Sequence, residues 1–471
     1  MTVQLIPRNK FNQGLLYTLF LISLLFYPVH YGLQVASIGA AYKAKLLCTN
    51  TFFARRKPEV VLREDLSGPE RFIFSDIDYS NKSVSTWFPG INTQQAFYLK
   101  GLGCVWSADM EENEFKAYTK DWIATGKTFQ NKTKASSLVE NFTHPAFNQQ
   151  QLNTAIDNAF LELDPDAPAL TRAVLVVYQG QLIAERYAAG ISKDTPLQGW
   201  SMTKSVINAL VGILVKQEKL SIIQPAPIEE WSKTNDPRSN ITLDHLLRMS
   251  SGLEFDETAG AAVTDLSEML FLSHDAAAFA IAKPLIHQPD THWQYASGTS
   301  NIISRIVREA SGGTTADVVK LLNNELFSPL GITTAIIEPD TSGNLIGSSY
   351  MYATARDWAR FGQLYLQDGI WQGKRLLPEG WVKYSSTPTL VAPKGQYAAH
   401  FWSNGGIASS QQSRPFPSLP GDLYYAAGYK GQRVIIIPSH QLVIVRLGWT
   451  DGASPQKMES MVSAILQTKL P

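Results

Sequence analysis

Ser201 and Lys204 stand three residues apart in a stretch, 200–214, whose apolar residues Met202, Val206, Ile207, Leu210, Val211, Ile213 and Leu214 form one broad face, with no proline until Pro225. That pattern predicts a helix. An i, i+3 pair on a helix shares a face, so the amine stands one turn from the hydroxyl. A serine is a weak nucleophile until a neighbouring base takes its proton. At a helix start it also meets unpaired backbone N–H groups and the positive end of the macrodipole, which suit an oxyanion. The chemistry implied is acyl transfer through serine. A second S-x-x-K, Ser454-Pro455-Gln456-Lys457, reads otherwise. Proline at the first helical position makes Ser454 an N-cap for the helix that closes the chain.

The elements around Ser201 follow from periodicity. A helix is expected over 147–163, with Leu152, Ile156, Phe160 and Leu163 on one side. Residues 173–178 and 182–187 read as a β-hairpin turning at Gln179-Gly180, and the nucleophile helix follows. From about 225 to 330 the pattern is mostly helical. Two more strands, 433–437 and 442–447, precede an amphipathic helix over 455–469. Early strands, a central helical block and late strands predict an α/β chain of the α+β type. Its antiparallel sheet would be flanked by helices, with a mostly helical subdomain inserted and a cleft at the junction.

Ahead of this unit, expected over 144–471, lie two further segments. Residues 14–27 carry no charge and are rich in Leu, Phe and Ile, with Arg8 and Lys10 before them and apolar character continuing to about Ala41. Residues 1–45 therefore read as a membrane anchor or a signal segment, the anchor favoured; a buried core helix is the alternative. The basic residues in front place the N-terminus in the cytoplasm. The bulk of the chain would be exported to the cell envelope, facing the periplasm. Residues 46–143 read as an irregular, partly β extension in which 71–74 and 85–88 pair as strands. Cys48 and Cys104, the two cysteines of the chain, would form one disulfide in an oxidising compartment; two unrelated buried thiols are the alternative.

Composition narrows the partners. Lys+Arg and Asp+Glu both total 41, giving a net charge of zero. No basic stripe with interleaved aromatics is present, so nucleic acid is not an expected partner. The 8 histidines include no H-x-x-x-H pair and the cysteines lack zinc spacing, so no metal or other cofactor is expected. The absence of a G-x-S-x-G elbow argues against a Ser-Asp-His hydrolase of the α/β type.

Several ordered motifs carry a resemblance. They are Gly199-Trp200-Ser201-Met202-Thr203-Lys204-Ser205, Leu243-Asp244-His245-Leu246-Leu247-Arg248-Met249-Ser250-Ser251-Gly252-Leu253 and Trp293-Gln294-Tyr295-Ala296-Ser297-Gly298-Thr299-Ser300-Asn301. Tyr352-Ala353-Thr354-Ala355-Arg356-Asp357-Trp358, Leu377-Pro378-Glu379-Gly380-Trp381 and Gly428-Tyr429-Lys430-Gly431-Gln432 extend it. Over about 145–468 the chain resembles the serine hydrolases related to class C β-lactamases. That group includes penicillin-binding carboxypeptidases, esterases and 6-aminohexanoate-dimer hydrolases, and the likeness is greatest to the last.

The resemblance implies a β-lactamase/transpeptidase-like fold, Ser201 as the acylated nucleophile, Lys204 as its activating partner and Tyr295 as the second proton-transfer group. It leaves open whether Lys204 or Tyr295 is the base. Ser297, Gly428, Lys430, Gly431 and Gln432 would border the substrate and its oxyanion. Two departures matter. Ser297 stands where many relatives have Asn, and the late Lys-Thr-Gly that would grip a substrate carboxylate is missing. Both point away from β-lactam and D-Ala-D-Ala chemistry and toward a small ester or amide, including short amide oligomers. The alternatives are a cell-wall carboxypeptidase or β-lactamase, and a non-catalytic ligand-binding sensor on the same fold. Of the remaining motif residues, His245 reads as packed or capping. Arg356 and Asp357 read as a helix-start network, and Trp402 as cleft wall or core.

Overall fold

The expected hairpin lies within the largest sheet. In the computed structural model, which describes residues 11–107, 110–122, 138–162, 168–407, 411–450 and 455–470, the first element is a long helix, α1 (Phe11–Phe52). A four-stranded antiparallel sheet follows, β1 (Phe74–Asp78), β2 (Ser83–Trp87), β3 (Gln94–Leu99) and β4 (Gly103–Trp106), in sequence order. The strand expected over 71–74 starts at its last residue instead. Pro69 opens a 3-10 turn through Phe72, and only Phe74 reaches the ladder, opposite Trp87.

The main sheet is built from β5 (Val139–Glu140), β6 (Thr171–Tyr178), β7 (Gln181–Tyr187), β8 (Trp402–Ser403), β9 (Tyr424–Gly428), β10 (Gln432–Ile437) and β11 (Leu442–Gly448). Its order is β8-β9-β10-β11-β6-β7-β5, antiparallel except where β5 joins β7. Every residue of β6 is buried, as expected for a strand covered on both faces. The strand alternation sorts two cores. Val174, Val176, Ile435 and Ile444 face a helix over Gln149–Asn158, capped by the Asn148 side chain, and the closing helix Pro455–Gln467. Leu175, Val177, Val434 and Val443 face the other way, toward the helix Ala355–Leu366. That helix approaches so closely that a Cβ on Gly362 would lie 2.7 Å from Val434 and Val443.

The nucleophile helix Thr203–Lys216 and a second long helix, Ser297–Ser311, pack together between this sheet and the inserted helical block. His245 sits in that block as a capping residue, its ring accepting from the Thr242 N–H. Arg356 and Asp357 have separate partners. Arg356 ties to Glu185 and Glu140, and Asp357 to Arg360.

The boundary expected at residue 45 falls inside α1. From Ile38 to Cys48 this helix is largely buried against β2, β3, β4 and the helix Asp265–Phe271, within one core that also holds Leu175 and Leu210. Buried polar groups lock it there. Glu338 pairs with Lys45 and accepts from Thr49 Oγ1 at 2.7 Å and from the Cys104 N–H at 2.6 Å. Asp65 is bracketed by Arg56 and by Arg172 of β6. Cys48 and Cys104 are joined in a disulfide. The charge-free stretch 14–27 lies outside the described side chains. Among the described residues, no helix is long and apolar enough to cross a membrane.

Candidate active site

The nucleophile turn departs from a simple helix start. Trp200–Met202 form a 3-10 turn and the α-helix begins at Thr203. Trp200 is held at φ +49°, a left-handed conformation that is costly for a bulky residue. Its surroundings fix it. Tyr42 of α1 stacks on the indole, Tyr429 meets it edge-on at 5.5 Å, and Trp449 lies at 6.3 Å. Thr203 Oγ1 closes the turn by donating to the Trp200 carbonyl at 2.6 Å. Ser201 keeps part of its surface open while residues 202–214 behind it are buried.

The Lys204 ammonium lies 3.1 Å from Ser201 Oγ, 3.0 Å from Ser297 Oγ and 3.0 Å from the Ser348 carbonyl. It also stands 4.9 Å from the Tyr295 ring centroid. Burial lowers its pKa to about 8, with the Glu257 carboxylate opposing that shift. Tyr295 is pushed up, first by burial and then by Glu257, with Ser201 acting against the shift, so it rests as a neutral phenol. The structure thus brings Ser201, Lys204 and Tyr295 together across the 94 residues from Ser201 to Tyr295.

Glu257 was not singled out from sequence. Its two oxygens accept from the Ser297 N–H at 2.6 Å and the Ser297 hydroxyl at 3.0 Å. Ser297 is therefore a relay between Lys204 and a carboxylate. Burial raises the Glu257 pKa, and Lys204 and the two Ser297 donors oppose that. His400 is a second such residue. Its ring bonds the Lys204 carbonyl at 2.8 Å and Ser300 at 3.1 Å, and burial with Lys204 nearby lowers its pKa to about 3. It is a neutral brace for the helix.

The glycine-rich segment borders the nucleophile turn. A Cβ on Gly428 would meet the Gly199 carbonyl at 2.1 Å, so only glycine lets β9 approach. Gln432 turns inward. Its amide donates to the carbonyls of Tyr429, Lys430 and Gly448 and accepts from the Gly448 N–H, which pins the turn. Lys430, at φ +59°, extends over the Tyr429 and Trp449 rings toward the charges of Glu70 and Asp65. The Gly431 carbonyl accepts from Arg446 at 2.8 Å. On the other side of Tyr295, Tyr397 and Trp402 pack at 5.8 and 5.5 Å.

Residues 163–460 match the family model described as Beta-lactamase. The chain is 24% identical over 308 residues to a 6-aminohexanoate-dimer hydrolase from Paenarthrobacter ureafaciens, covering 60% of this chain and 73% of that one. A solved Bacillus anthracis structure that carries the same name provisionally superposes with a TM-score of 0.53 at 20% identity, covering 72% of this chain and 97% of its own. EstCE1, a hydrolase with promiscuous acyltransferase activity, superposes with a TM-score of 0.54 at 13% identity, covering 67% and 97%.

Proposed function

The chain belongs to the beta-lactamase family, and from that footing we propose that it is a hydrolase that cleaves a small ester or amide through an acyl-enzyme on Ser201. The observation that carries the reading is the contact of the Lys204 amine with Ser201 Oγ, with the Tyr295 ring 4.9 Å from the same amine. In its neutral form Lys204 accepts the Ser201 proton as Oγ bonds to the substrate carbonyl carbon. Tyr295, a neutral phenol, gives its proton to the leaving oxygen or nitrogen as that bond breaks, and is reprotonated through Lys204. The Ser201 N–H and a backbone N–H at the close end of β9 stabilise the oxyanion. Water, deprotonated by the same pair, then releases the acid and restores Ser201. The name of the Paenarthrobacter relative makes short linear amides the first substrates to try. Intact-mass analysis of the full chain treated with a fluorophosphonate tests the reading. One adduct, absent in Ser201→Ala, supports it; a folded wild type that takes no adduct overturns it.

We also infer an exported location on an N-terminal anchor. The charge-free stretch 14–27 behind Arg8 and Lys10 supports it, as does a disulfide, which persists in oxidising compartments. Carbonate extraction of membranes followed by protease protection tests both parts. Release into the supernatant sinks the anchor, and digestion from the cytoplasmic side sinks the orientation.

A further inference from the structure

α1 is one helix from Phe11 to Phe52, running through Pro28. No Asp, Glu, Lys or Arg stands between Lys10 and Lys43. A helix needs about 20 residues to cross about 30 Å of hydrocarbon, and counted from Phe11 that span closes near His30. The burial of α1 changes just beyond this level. Residues 28–32 are exposed, 33–37 are half-buried, and from Ile38 the helix enters the core. The helix therefore leaves the protein where the count puts the bilayer surface.

The four-stranded sheet presents open rings around that exit. The turn after β2, Trp87-Phe88-Pro89-Gly90, is exposed at every residue. It lies against the emerging helix, since a Cβ on Gly90 would stand 3.0 Å from Leu33 Cδ2. Further along, Thr86 Oγ1 donates to the Ala40 carbonyl at 2.8 Å, and a Cβ on Gly39 would meet Ile73 at 2.9 Å. These contacts fix the strand ends beside residues 33–40. Phe74 stacks on Trp87 at 5.9 Å, and both remain exposed. Phe72 is exposed as well, with the Arg71 guanidinium 4.6 Å from its ring centroid. Val29 and Tyr31 add open apolar surface on α1 itself. A contiguous apolar patch of this kind marks a docking surface. Two features select a membrane as the occupant: the patch surrounds the exit of a charge-free helix, and Trp and Tyr are the residues enriched at a membrane–water interface.

We propose that Phe72, Phe74, Trp87 and Phe88, with Val29 and Tyr31, form an interfacial belt that seats the hydrolase on phospholipid headgroups. The inference rests on the anchor reading above and adds a fixed posture to it. α1 passes without a loop into the core that holds the nucleophile helix, so rings gripping the interface around its exit set both tilt and height. Tyr42, stacked on Trp200, stands twelve residues after His30, about 18 Å along the helix axis. The belt thus holds the nucleophile turn at a set distance from the bilayer.

The test uses the full chain in vesicles of phosphatidylethanolamine and phosphatidylglycerol. Both native cysteines are in the disulfide, so a cysteine placed at Phe72, Phe88 or Leu390 is available for an environment-sensitive fluorophore. Lipids carrying a nitroxide on the headgroup or deep in the acyl chain then act as quenchers. Phe72→Cys and Phe88→Cys are expected to shift their emission to the blue and to lose fluorescence chiefly to the headgroup nitroxide. Leu390→Cys, at a position 95% exposed, gives the baseline for a label in water. Adding Trp87→Ser and Phe88→Ser to the Phe72→Cys protein should weaken the loss. Quenching no greater than at Leu390, in a chain that resists carbonate extraction, overturns the belt and leaves the anchor standing. A blue shift without quenching, with Phe88→Cys cross-linking to a second copy, gives the patch to a dimer and overturns the belt as well. A chain that carbonate releases and no lipid quenches sinks belt and anchor together.

Discussion

Tyr42 of α1 lies stacked on Trp200, ring centroids 6.3 Å apart and planes within 21°, one residue before the nucleophile. α1 lies outside residues 163–460, which match the family model, yet it supplies one wall of the clamp on the nucleophile turn. Phe271 meets Tyr42 edge-on at 5.4 Å from behind. The left-handed Trp200 costs on the order of 1–3 kcal/mol, and an aromatic pair returns about 0.5–1.5 kcal/mol. Tyr42→Ala should therefore slow acylation by about tenfold, with kcat falling more than KM rises. Tyr42→Phe, which keeps the ring, should act like wild type. Single-turnover labelling of Ser201 reads the difference, and equal rates in all three proteins would remove Tyr42 from the machinery.

The Lys45–Glu338 pair is buried on both sides. Burial raises the Glu338 pKa and lowers that of Lys45, and each opposes the other's shift. Removing one partner leaves a lone charge inside, which costs roughly 3–5 kcal/mol. Lys45→Met should lower the unfolding free energy read from urea denaturation by that amount, and Lys45→Met with Glu338→Gln by much less. A single variant as stable as wild type would show that the pair is not felt.

The disulfide joins α1 to β4 across 56 residues, with both cysteines fully buried. Closing such a loop restricts the unfolded chain, and removing it typically costs about 2–5 kcal/mol. Cys48→Ser with Cys104→Ser should lower the thermal midpoint of the whole molecule, because α1 shares its core with the nucleophile helix. Unfolding of the extension alone, seen as a separate early transition by circular dichroism, would contradict a shared core.

The legible parts of this molecule were those in which few residues suffice. The Ser201–Lys204 spacing is local, and the hairpin and closing strands are short runs rich in Val, Ile and Leu set off by turn residues. Glu257 is different. It sits in a loop after Gly252 without periodicity, and only the fold carries it to Ser297. Hydropathy misled at α1, where one apolar run to Ala41 read as anchor although its last part is protein core. Transfer out of water looks the same in sequence whether the destination is lipid or a packed interior. The resemblance alone sets Gln432 beside the substrate, and its backbone acceptors appear only once the turn is built.

Lys204 with a pKa near 8 implies a rate that climbs with pH. Below about 8 its amine is protonated and cannot take the Ser201 proton; above it, the base form dominates. For folding, the pKa is lower than the ordinary 10.5, so between those values the unfolded chain binds more protons and stability contributed by this group rises with pH. kcat/KM for a neutral ester should show one inflection near 8. A profile flat from neutrality to mild alkalinity would assign the base elsewhere.

Glu257 sets where that inflection falls. Its negative charge raises the Lys204 pKa against burial, and it reaches the amine through Ser297, which accepts from Lys204 and donates to Glu257. Glu257→Gln removes the charge while keeping an oxygen for one Ser297 donor and leaving the other without its partner. Lys204 should then lose its proton at lower pH, moving the inflection below that of wild type. The plateau should fall by about tenfold, since a misplaced Ser297 holds the amine less firmly on Ser201. Ser297→Ala should give a similar plateau loss with a smaller shift, because the carboxylate remains. The pH profiles of the three proteins separate these effects. An unmoved inflection in Glu257→Gln would mean that the carboxylate positions the loop without tuning the base.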